Sequence, residues 1–114
     1  VIPWSPLARG RLTREPGITT TRSANDAFGA TLYGGAADRA VIDAVGTVAT
    51  SRGVPRAQVA LAWLLVNPAI SAPLVGVRTL GQLDDAVAAT ELTLTSDEIA
   101  MLERSYQPRP VTGI

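Results

Sequence analysis

Neither cysteine nor histidine occurs in this sequence, and all ten of its basic residues are arginine, so lysine is absent as well. The first absence excludes disulfides, thiolate metal sites and a cysteine nucleophile. The others remove the usual general base, the commonest metal ligand and any Schiff-base lysine. No sign of charge dominates, because ten acidic residues balance the ten basic ones. A neutral chain has no electrostatic footprint for nucleic acid or an anionic membrane surface. Long apolar runs are missing too. The longest, Val59 to Val66, is far too short to span a bilayer. If the chain belongs to an enzyme, its acid–base chemistry is expected outside this stretch of sequence.

What is present reads as a soluble globular segment, with 46% apolar residues in 114. The start, Val1-Ile2-Pro3-Trp4, has no Met and no signal-peptide pattern and reads as the middle of a strand. The expectation is therefore a fragment of a larger domain. Val1 to Trp4 suits a buried strand end closed by Ser5-Pro6. Residues 7–36 carry Gly10, Gly17, Gly29, Gly34 and Gly35 with little periodicity, and read as one long loop, functional or disordered. Asp38 to Arg52 has an apolar stripe of Val41, Val45 and Val48 at helical spacing, with Gly53 as its left-handed stop. Pro55 fits the first turn of a second helix, Arg56 to Val66, which is apolar almost all round and so predicted to be buried on most sides. Asn67-Pro68 ends it.

Pro73 to Val77 predicts a short apolar strand. Thr79 with Gln82, and Thr95 with Glu98, each match a capping box that opens a helix. Leu83, Ala86, Val87 and Ala89 continue the apolar face of the first of these helices, and Ile99 and Leu102 supply that of the second. Gln107 to Ile114 is a tail. Strands alternating with helices predict βαβ units and a parallel sheet, of which this chain supplies about a quarter of an eight-stranded barrel plus a surplus helix.

Most of the carboxylates sit on polar helix faces or in first turns, as solvated or capping groups. Binding chemistry is more visible, at two strand-to-helix junctions. In Trp4-Ser5-Pro6-Leu7-Ala8-Arg9-Gly10, Trp4 offers a flat face for stacking and Ser5 a hydroxyl. The backbone N–H groups from Leu7 to Gly10 could meet phosphate oxygens, and Gly10 allows close approach. The alternative is that Trp4 is core and the rest a turn. In Gly76-Val77-Arg78-Thr79-Leu80-Gly81-Gln82 a helix N-terminus follows a strand end, which favours an anion, and Arg78 adds a guanidinium suited to a phosphate monoester. Gln82 either caps the helix or binds a ligand base.

These residues resemble the aldo-keto reductase family. Trp4 to Gly10 is similar to that family's segment after the seventh barrel strand, and Pro73 to Arg78 with Gln82-Leu83 to its eighth-strand cofactor segment. Val54 to Leu65 resembles its seventh helix, the most specific match, and Leu94-Thr95-Ser96-Asp97-Glu98-Ile99 its last helix. The resemblance covers essentially the whole chain but only the C-terminal third or so of the family's (β/α)8 TIM barrel. It implies one partial domain, residues 1–114, that binds NADPH for reduction of a small carbonyl in the cytoplasm, without metal.

By the same resemblance, Trp4 would stack on the nicotinamide, and Ser5, Leu7 and Gly10 would line the pyrophosphate loop, with Pro6 and Ala8 in the same segment. Arg22, and with it Arg14, matches a basic position of the loop that closes over the cofactor. Gly76, Val77 and Arg78 would hold the adenosine 2′-phosphate end, with Gln82 and Asp85 near the ribose and adenine. Ala86 stands where many relatives carry Asn, and Arg78 where some carry Ser or Thr. The family's catalytic Asp, Tyr, Lys and His come from earlier strands, so none is expected here and the chain alone should be inactive.

Two readings compete. Gly53 to Leu65 also resembles part of a helix-turn-helix, which would make a small regulatory module. A non-catalytic nucleotide-sensing chain is the other. Made alone, the chain is expected to be molten or aggregated, because apolar strands without neighbours stay bare.

Overall fold

A computed structural model describes residues 1–111 of the chain. Of the predicted tail, 112–114 lie outside the described residues. The long helix, here α3, spans Ala36–Arg52, two residues earlier than the predicted start. Asp38 lies inside its first turn, where its carboxylate accepts from the Gly34 and Gly35 N–H groups at 3.0 and 3.3 Å. Its end is as expected: Gly53 takes the left-handed conformation at φ 65° and closes the last turn. Helix α4 spans Arg56–Val66, with Pro55 as the flanking cap residue.

The core forms where α3, α4 and a last helix, α6 (Ser96–Glu103), converge. Val45, Val48 and Ala49 meet Val59 and Ala62, closed over by Leu94 and Leu102. Ile99 packs against this cluster. The capping box predicted for α6 is complete: the Glu98 N–H donates to Thr95 Oγ1 at 3.2 Å, and the Thr95 N–H to Glu98 Oε1 at 2.8 Å. Arg52 ties the end of α3 to this corner, donating to the Thr93 carbonyl at 2.7 Å and lying 3.5 Å from Glu98.

Helix α4 is buried from Gln58 to Ala62 but not all round. Trp63 and Val66 are exposed, and Trp63 Nε1 donates to Glu103 at 2.9 Å. The predicted apolar face of α5 (Leu80–Ala88) is likewise largely uncovered. Leu83 and Val87 are exposed, and burial begins only at Ala89, in the 3₁₀ turn Ala89–Glu91.

The predicted loop over 7–36 is not featureless. It holds a kinked 3₁₀ segment (Ala8–Thr13) and two short helices, α1 (Thr21–Ala24) and α2 (Ala27–Leu32). Capping residues make them possible: Thr20 with Ser23 for α1, and Asp26 for α2.

The two predicted strands are the larger correction. No extended strand forms among the described residues. Val1 to Trp4 and the segment before Val77 meet through one parallel bridge, Trp4 with Leu74. Two backbone bonds support it, from the Ser71 N–H to the Val1 carbonyl at 2.8 Å and from the Leu74 N–H to the Pro3 carbonyl at 3.0 Å. Pro3 and Pro73 cannot donate to a ladder, and a pair without further neighbours is too weak to extend itself. Val1, Ile2 and Trp4 are exposed rather than buried. The bridge still runs parallel, with helices between its halves, as a βαβ connection requires.

Candidate functional site

The Trp4–Leu74 bridge brings the two strand-to-helix junctions side by side. Between them opens a cleft of about 700 Å³, with Pro55, Ala57 and Leu61 of the α4 region among its lining residues. That volume is within the range of small-molecule and cofactor sites. Of the residues singled out in the sequence, Trp4, Ser5, Pro6, Leu7, Gly10, Arg14, Arg22, Gly76, Val77, Arg78, Gln82 and Asp85 all line this one cleft. Ala8, at the start of the 3₁₀ segment, is not among the lining residues. Trp4 is 66% exposed, so the core alternative for it does not hold, and its indole is available to the cleft.

The first junction is strained. Ser5, Ala8 and Arg9 take φ of 55°, 50° and 56°, and Gly10 follows at 88°. A left-handed backbone costs a residue with a Cβ about 1–2 kcal/mol, so surrounding contacts must hold these three in place. The Ala8 N–H donates to the Ser5 carbonyl and the Gly10 N–H to that of Leu7, both at 3.0 Å. The Gly10 carbonyl accepts from Thr13 Oγ1 at 2.8 Å and from Arg14 Nη1 at 3.0 Å. Arg9 is fixed further away: Nε and Nη2 donate to the two carboxylate oxygens of Asp26 at 2.7 and 2.9 Å, and the guanidinium lies 5.7 Å from the Phe28 ring centre.

Asp26 serves two elements at once, because it also accepts from the Gly29 N–H at 2.9 Å as the cap of α2. Hydrogen bonding from Arg9, then from the Gly29 N–H, holds its carboxyl down at about 2. Sequence reasoning placed Asp26 among capping carboxylates and missed its pairing with Arg9. The Asp-x-x-Gly pattern signals the cap, but nothing local signals a partner so far away in the chain. Thr13, Thr20 and Thr21 also line the cleft and were not singled out.

At the second junction Thr79 caps α5, its Oγ1 accepting from the Gln82 N–H at 3.1 Å. The return bond of the predicted box lands one residue early: the Arg78 N–H donates to Gln82 Oε1 at 2.8 Å. Gln82 thus acts as a cap in this structure, and its carbonyl oxygen shapes the Arg78 turn. Arg78 and Gln82 line the cleft at this helix start.

Charge completes the picture. Arg9 is neutralised by Asp26, but Arg14, Arg22 and Arg78 form no ion pair among the described residues. They share the cleft with a single carboxylate, Asp85. The arrangement suits a ligand with an aromatic ring for Trp4 and several negative charges for the arginines. No group of three or more metal-binding side chains occurs among the described residues. No helix there is long and apolar enough to cross a membrane.

The structure shows a mostly helical segment whose one parallel bridge sets two turns beside a cleft that could receive an anion. The aldo/keto reductase family profile matches residues 1–107, and the chain belongs to that family, a TIM-barrel family. It is 39% identical over 97% of its length to the versiconal hemiacetal acetate reductase of Aspergillus parasiticus, covering 33% of that protein. It is 36% identical over 99% of its length to an aldo-keto reductase of Fusarium vanettenii, covering 31% of it. An aldo-keto reductase of Metarhizium robertsii is 38% identical over 99% of the chain, again with 31% covered. The chain spans about a third of the length of the curated relatives it matches.

Proposed function

We propose that this chain forms the C-terminal, cofactor-binding part of a (β/α)8 barrel that reduces small aldehydes or ketones with NADPH. The observation that carries the reading is the single cleft in which Trp4 and the unpaired Arg14, Arg22 and Arg78 converge from both junctions. Trp4 would stack on the nicotinamide, and the turn from Ser5 to Gly10 would receive the pyrophosphate, with Arg14 and Arg22 adding charge from the segment beyond it. Gly76, Val77 and Arg78 at the α5 N-terminus would hold the 2′-phosphate, with Gln82 and Asp85 beside the ribose and base. Bound NADPH supplies the hydride. This chain's own residues orient the nucleotide and neutralise its phosphates. By the family resemblance the proton donor comes from earlier strands of the barrel, and neither Tyr33 nor Tyr106 lines the cleft. Metal-free chemistry in the cytoplasm belongs to the same reading and rests on the family resemblance.

Titration of the native gene product with NADPH and NADH tests this. Arg78→Met removes one charge-assisted contact, worth about 1.5–3 kcal/mol, so NADPH affinity should fall about 10- to 150-fold while NADH affinity holds. Equal loss for both nucleotides would refute the assignment of Arg78. The helix-turn-helix alternative is disfavoured by α4, whose Gln58 to Ala62 are buried and leave too little free surface for a DNA groove.

A further inference from the structure

We propose that the apolar cavity between α4 and α5 is a second compartment of the nucleotide site, one that takes an uncharged, apolar substituent carried on the base. The inference deepens the reading of the cleft as a nucleotide site and rests on it. Its own basis is a shared wall. Leu61, Val75 and Ala86 line both the cleft and the cavity of about 300 Å³ behind it. The two spaces are therefore adjacent, and Ala86 contributes a single methyl group to the partition. Asp85, which that reading sets beside the base, is its neighbour in the chain, and Gln82 lies one turn earlier on the same face of α5. A base held by these two residues abuts the partition where it is thinnest.

The lining sets the chemistry of the occupant. Leu65, Pro73 and Val87 complete the apolar side of the cavity, and none of its lining residues carries a charge. Its two hydroxyl residues are Ser71 and Thr90, and Thr90 Oγ1 is already committed, donating to the Val87 carbonyl at 2.8 Å. A charged or strongly polar group would leave water there for too few partners. An apolar group loses nothing on entry and gains the burial. Size agrees: an apolar cavity of about 150 Å³ already takes benzene, so this one has room for a benzyl group and the bond that leads to it. Continuity with the cleft favours a tethered group over a free molecule, because a nucleotide bound next door delivers its substituent at high effective concentration.

The test uses the native gene product and two ligands, NADP⁺ and its N6-benzyl derivative, with binding measured by titration calorimetry. Burial of the benzyl group should make the derivative bind about tenfold more tightly than NADP⁺. Val87 lines the cavity but not the cleft and is 60% exposed, so a larger side chain fits there without disturbing the core. Val87→Phe fills the cavity and should abolish the tenfold advantage, with NADP⁺ affinity within twofold of the unsubstituted protein. Ala86→Leu thickens the partition from within α5 and should abolish the same advantage by a second route. A derivative that binds no more tightly than NADP⁺, or an advantage that survives either substitution, overturns the second compartment and leaves the nucleotide reading standing. Failure of the unsubstituted protein to bind NADP⁺ overturns that reading and the inference with it.

Discussion

Leu61 and Leu94 are both deeply buried, at 2% and 6% exposure, and burial alone predicts that truncating Leu61 does at least as much damage. Their surroundings predict the reverse. Leu→Ala removes three carbons, about 2.4 kcal/mol of transfer free energy at ~0.8 kcal/mol each. A cavity contribution adds to this only where the void stays closed. Leu94 belongs to the buried cluster of Val45, Val48, Ala49, Val59, Ala62 and Leu102. Its removal leaves an internal hole worth about 1–2 kcal/mol more, so Leu94→Ala should cost about 3.5–4.5 kcal/mol. Leu61 walls both the cleft and a smaller apolar cavity of about 300 Å³ between α4 and α5. A void there merges with open space, so Leu61→Ala should cost about 2–2.5 kcal/mol. Urea unfolding of the native gene product with an unchanged slope measures the difference: at about 1–3 kcal/mol per molar, Leu94→Ala should unfold at least ~0.3 M earlier than Leu61→Ala. Only Leu61→Ala should alter ligand binding. A Leu61→Ala loss equal to or greater than that of Leu94→Ala refutes the argument.

The Asp26 carboxyl is held at about 2, below its ordinary value, so the contribution of its ion pair with Arg9 is complete above about pH 4 and is lost as pH falls towards 2. Exchange protection of α2, corrected for intrinsic rates, should fall across that window before that of α4, which has no acidic residue in its first turn. Asp38 titrates in the same sense: burial pushes it up, but the Gly34 N–H, Arg109 and the Gly35 N–H together hold it below the ordinary range. Thr95→Ala removes the cap of α6 and should destabilise by about 1 kcal/mol, and its effect should be less than additive with Glu98→Ala, because the two share one box. The isolated 114-residue chain should reduce no generic aldehyde and should lack a cooperative melt, checked by NADPH consumption and calorimetry. Turnover by the pure chain would contradict that.

The helices were legible because their signals are local. The valine stripe, Gly53, Asn67-Pro68 and the Thr95–Glu98 box each act within a few residues, and α3, α4 and α6 fall where those signals put them. The cleft was legible for a related reason, since backbone turns and helix starts announce themselves in glycine, proline and threonine. The strand segments misled because an apolar run specifies burial only if a partner covers it. Here Pro3 and Pro73 interrupt the ladder and Val1 to Trp4 remains bare. The order inside 7–36 was hidden because it depends on Asp26 meeting Arg9 and on Tyr33 lying near both Arg11 and Arg109, pairings no short window reveals.

The parallel bridge between Trp4 and Leu74 has a consequence for the order of folding events. The α3–α4 hairpin closes through a turn at Gly53 and needs only near neighbours in the chain. The bridge joins residues at opposite ends of that hairpin, so its loop-closure entropy must be met before any reward is returned. The helical pair therefore forms first and the two junctions are drawn together last. The cleft is then the final part to appear on folding and the first to come apart under stress. A ligand that spans both junctions would act as a late staple, slowing unfolding far more than it speeds folding.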